Sequence, residues 1–128
     1  MKKFFLTLFL TNVVIISSFA AGHITKAQKE IAIECLGHYT ATAVLPADTV
    51  EVKDIEVALA ASKVIREHLN NEGIKNDEIN KGMNIYVDKV YGKPFNKKKN
   101  EECNKSTYNL IPGSKEKIEK LSRTIYQG

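Results

Sequence analysis

Apolar residues return along this chain with the period of a helix, segment after segment. From Thr25 to Leu45, Ala27, Ile31, Cys35 and Tyr39 recur every four residues, and Leu36 and Ala43 widen the stripe. That spacing predicts an amphipathic helix, which Pro46 stops. "PADTVEVKD" reads as a connector, with a brief extended piece at Val50 and Val52. A second helix is predicted from Lys53 to Asn71, its apolar face formed by Ile55, Leu59, Ser62, Ile65 and Leu69. Gly73 follows as a C-terminal stop.

The third predicted helix runs from Asn76 to Tyr91. Asn76 is its expected N-cap, with Asp77 and Glu78 favourable in the first turn. Ile79, Met83, Tyr86, Val87 and Val90 share one face, and Gly92 and Pro94 end the segment. "NKKK", Asn96 to Lys99, reads as a charged loop. A shorter fourth helix carries Cys103, Thr107, Leu110 and Ile111. "PGS", Pro112 to Ser114, is a turn whose serine caps a last helix bearing Ile118, Leu121 and Ile125. No strand pattern competes. The fold class is therefore all-α: a small bundle of four to five helices.

The first twenty residues follow a different rule. Lys2 and Lys3 precede a mostly apolar run from Phe4 to Ile16, and small residues come next. This is the layout of a secretory signal peptide. The apolar run is shorter than the ~20 residues a membrane span needs, so no stable membrane insertion is expected after cleavage. Ser18 and Ala20 satisfy the small-residue demand of the peptidase, which predicts cleavage after Ala20. Residues 1–20 are then the signal peptide, and 21–128 form one helical domain with a periplasmic or secreted address.

Export changes how the cysteines read. There are two, Cys35 and Cys103. An even count in a small exported domain predicts a disulfide, here closing a loop of almost 70 residues. Chain-entropy arithmetic allows such a bridge at most about 4 kcal/mol. No Cys-x-x-Cys is present to suggest redox catalysis.

Charge adds a hint about partners. The chain carries a net charge of +4, and bases outnumber acids from Lys93 onward while acids outnumber bases from Ala21 to Gly92. Outside the cytoplasm nucleic acid is a poor partner. An acidic protein, anionic lipid or acidic polymer fits the basic end better.

Candidate chemistry is sparse. The sequence contains no His-Glu-x-x-His, Gly-x-Ser-x-Gly, P-loop or Cys-x-x-Cys-His pattern, and we read the chain as non-enzymatic. Glu30, Glu34 and His38 lie at four-residue spacing and read as a solvated edge, where the like-charged glutamates want a nearby cation. Cleavage after Ala20 exposes Ala21-Gly22-His23. An amine, two backbone amides and an imidazole can hold Cu or Ni in a square plane, at least adventitiously; no other cofactor is implied. Five tyrosines and no tryptophan remain as recognition assets. Tyr91 and Phe95 flank Gly92-Lys93-Pro94 beside Lys97, Lys98 and Lys99. That segment is the expected partner-binding surface.

One resemblance follows from the cysteine contexts. "ECLGHY" (Glu34–Tyr39) in the first helix and "ECNKSTY" (Glu102–Tyr108) in a late one, then a basic amphipathic helix, resemble the small helical periplasmic immunity proteins. Those proteins neutralise amidase toxins delivered by type VI secretion. The resemblance covers the layout of most of the expected mature chain and brings no inhibitory loop with it. It implies a protein that binds and blocks a cell-wall hydrolase. The residues by themselves leave two other readings open: a Cu/Ni-binding protein acting through its N-terminus, and an accessory subunit of an envelope complex.

Overall fold

The first helix becomes the hub of the molecule. The computed structural model describes residues 24–125, and five helices follow one another along them. They are α1 (Lys26–Ala43), α2 (Val52–Asn71), α3 (Asn76–Val90), α4 (Lys97–Leu110) and α5 (Ser114–Thr124). No strand occurs among the described residues. The expected signal segment, the Ala21-Gly22-His23 motif and Tyr126 lie outside the described residues.

Thr25 starts α1 with a capping box: its hydroxyl accepts from the Gln28 amide (3.1 Å), and Gln28 Oε1 accepts from the Thr25 amide (2.9 Å). From there α1 packs against α2, α3 and α4. A helix with neighbours on three sides buries more than one stripe. Ala32, Ile33, Cys35, Leu36, Gly37, His38 and Tyr39 are all buried. Cys35 and Tyr39 sit inside as their spacing requires, whereas Ala27 is exposed and Ile31 keeps 49% of its surface in solvent.

Two glycines let α3 approach α1 closely. A Cβ on Gly37 would lie 2.8 Å from Tyr86 Cβ, and one on Gly82 would lie 2.6 Å from Ile33 Cγ2. On α3 itself Ile79 is buried, while Met83, Tyr86, Val87 and Val90 are only half-buried.

The second helix packs on α1 and α5. It buries Ile55, Ala58, Ala60, Ala61, Val64, Ile65 and Leu69. Leu59, expected inside, is 42% exposed, because alanines rather than leucine hold the contact faces. Val50 is buried but belongs to no strand, and Val52 opens α2. The C-terminus of α2 forms a Schellman motif. Gly73 (φ +87°) donates to Asn70 O and Ile74 donates to Leu69 O, both at 3.0 Å.

Three start signals differ from expectation. Lys75, not Asn76, occupies the N-cap of α3 without a side-chain bond, and Asn76 is already helical. "NKKK" is not a loop. Asn96 caps α4 by accepting from the Lys99 amide (2.9 Å), so Lys97–Lys99 form its first turn. Lysine is a good helix former, and a cap was enough to recruit the run. Ser114 does not cap α5; Gly113 (φ +77°) takes that position, and Ser114 Oγ donates back to Thr107 O (3.2 Å).

The Cys35–Cys103 disulfide ties α1 to α4 with their Cα atoms 5.3 Å apart. Both cysteines are buried in the central cluster with Leu36, Tyr39, Ile65, Leu69, Ile79 and Ile118. Fully burying each such aliphatic side chain contributes ~1.5–3 kcal/mol.

Candidate functional site

Where α1 and α3 both end, the chain leaves a groove of about 390 Å³. One wall is the end of α1 and the turn after it: His38, Thr42, Val44, Leu45 and Pro46. The other is the end of α3, with Tyr86, Val87 and Val90, followed by the connector Tyr91 to Asn96. Local rules build this shape. Pro46 cannot continue α1. Gly92 (φ +79°) takes a left-handed turn that L side chains disfavour, and Pro94 keeps the connector out of a helix.

The mouth is apolar and open. Tyr91 is 85% exposed and Val44 76%, far beyond what large apolar side chains need. The floor is different. His38 is buried, its ring 6.3 Å from the Phe95 ring and 5.4 Å from Tyr39. His38 Nε2–H donates to Asn100 Oδ1 at 2.8 Å. Burial lowers the His38 pKa; the Asn100 bond opposes that shift and the charge of Lys99 adds to it. The imidazole is therefore neutral at neutral pH.

Beside the floor, Lys99 Nζ donates to Glu34 and lies 5.7 Å from the Tyr86 ring centroid. Partial burial works against the Lys99 charge, but the Glu34 bond outweighs it and holds the pKa above the ordinary lysine range. Burial raises Tyr86, with Lys99 pulling the other way. Tyr39 donates to Asn104 Oδ1 (2.5 Å), and burial pushes its pKa well up.

The expected recognition segment is thus divided by the fold. Tyr91 stands at the mouth. Phe95 is half-buried against His38. Lys97 and Lys98 are exposed on the first turn of α4. Lys99 is occupied within the chain, and it gives Glu34 the nearby cation that the like-charged pair was expected to want. His38 leaves the exposed strip assigned to it and becomes the floor of the groove. Val44 and Leu45 are groove residues that the helical stripe did not single out. Their signal was an apolar pair placed at a helix end, directly before proline.

Among the described residues no group of three or more His, Cys, Asp or Glu converges to hold a metal ion, and no helix is long and apolar enough to cross a membrane. A buried disulfide is consistent with an oxidising, exported location.

The fold defines a class: an all-α, five-helix domain pinned by one disulfide. Compared with known proteins, the chain matches no family model, no curated protein and no solved structure.

Proposed function

We propose that this protein is an exported, non-enzymatic binding domain that docks on and inhibits a cell-wall hydrolase, as an immunity or inhibitor protein does. The observation that carries the reading is Tyr91, 85% exposed at the mouth of an apolar groove. An exposed tyrosine at an apolar recess is the usual anchor of a protein interface, since its rigid ring loses little entropy on burial. Lys97 and Lys98 add steering charge beside it. The groove sits between elements held by a disulfide and by close glycine contacts, so little ordering is needed on docking. The resemblance in cysteine layout to periplasmic immunity proteins supports the choice of target class, and a periplasmic address accompanies it.

The test is enzymatic. The oxidised chain is titrated into purified amidases, muramidases and endopeptidases acting on peptidoglycan. Stoichiometric inhibition of one enzyme is expected, weakened about tenfold or more by Tyr91→Ala, the loss typical of an interface anchor. Undiminished hydrolysis across all three classes would reject the reading.

A further inference from the structure

The groove has an electrostatic bias that its apolar walls do not account for. Its ionisable lining consists of His38, Lys93, Tyr86 and Tyr91, and no carboxylate lines it. Lys97 and Lys98 follow directly on its last lining residue, Asn96. None of Lys93, Lys97 and Lys98 forms an ion pair among the described residues.

The floor of the groove carries a titratable ring. His38 lines the groove although only 4% of its surface is exposed. Asn100 accepts from Nε2–H, so Nδ1 is the ring nitrogen not engaged in that bond.

We propose that the groove takes an acidic segment of the partner protein, in which an aromatic or aliphatic side chain stands beside an Asp or Glu. The apolar side chain covers Val87, Val90 and Phe95. The carboxylate meets Lys93 at the rim and His38 at the floor. This deepens the docking role proposed above and rests on the same groove being the docking surface.

A neutral His38 with Nε2–H committed to Asn100 offers a lone pair at Nδ1, which repels a carboxylate. Taking one proton from solvent turns Nδ1 into a donor, so binding of the acid draws a proton onto His38. The groups facing His38 are Tyr39 on its own helix, Tyr86 on α3, Lys99 and Asn100 on α4, and Phe95 and Lys93 on the connector. Of these only the lysines carry charge, and Lys99 is paired with Glu34. Among the described residues lining the groove, no anion does what the incoming carboxylate would do. Binding is therefore tighter in mild acid.

The probes are phenylacetate and its neutral analogue phenylacetamide, titrated into the full oxidised domain and followed by amide NMR shifts at Val87, Val90 and Lys93. Phenylacetate is expected to bind about fivefold tighter than phenylacetamide near pH 5.5, with the advantage shrinking near pH 7.5. Lys93→Gln should weaken phenylacetate about threefold and leave phenylacetamide unchanged. His38→Gln should remove the pH dependence; if that variant fails to fold, Lys93→Gln and the pH comparison on the native chain decide. Equal binding of the two probes at both pH values overturns carboxylate selection, as does the absence of shifts in the groove. Either result leaves the docking role standing, because that role is read from hydrolase inhibition.

Discussion

At the residue scale, two positions show how the surroundings of a side chain decide its effect. Replacing a mid-helix glycine by alanine ordinarily stabilises by about 1 kcal/mol. At Gly37 the new methyl would stand 2.8 Å from Tyr86 Cβ, an atom fixed to the α3 backbone. Overpacking of this kind costs ~1–3 kcal/mol and forces the helices apart. Gly37→Ala should therefore lower the urea midpoint, against its propensity. His38 makes the second case. Its folded pKa lies below 6.5, the value for the unfolded chain. Below pH 6.5 the unfolded state binds a proton that the folded state refuses, so stability decreases as the pH is lowered, until the folded pKa is passed. Denaturation curves over that window should show the loss, and His38→Gln should flatten it.

At the scale of the elements, Asn96 sets where α4 begins. Asn96→Ala should cost about 1 kcal/mol, read by chemical denaturation, because it leaves the Lys99 amide without its acceptor. This helix also marks what could be read from the chain. Its period, its Cys103 and its partner Cys35 were legible, as were the Gly73 stop and the all-α class. Apolar spacing reports a helix and one of its faces. It does not report how many neighbours will cover it. That is why α1 was drawn with a stripe at Ala27 and Ile31, yet buries seven residues in its middle turns. The same blindness placed His38 in solvent, since its cover comes from Phe95 and Asn100, some 60 positions away. Lys99 was counted among the free lysines for a like reason. Its partner, Glu34, belongs to another helix, and nothing local in "NKKK" announces it.

At the scale of the whole molecule, association and stability separate. Lys97→Glu with Lys98→Glu should slow docking and reduce its dependence on salt while leaving the fold intact, measured by surface-binding kinetics across ionic strength. Lys99 is left out of that variant, since removing it strands Glu34. Reducing the Cys35–Cys103 bridge should act on the other quantity and lower stability by at most about 4 kcal/mol, visible as a shift in the thermal midpoint with reductant.

The hub position of α1 bears on the order of assembly. This helix is synthesised first among the five, and its neighbours arrive in turn: α2 and α3 first, then α4, which begins more than fifty residues after α1 has ended. Cys35 waits even longer for Cys103. A nascent chain emerging N-terminus first can therefore cover α1 with α2 and α3 early, but the side of α1 that carries Cys35 waits until α4 has appeared. Contacts of this long range delay cooperative closure. The vectorial consequence is a chain that stays unpinned until late, then closes when α4 docks and the thiols meet.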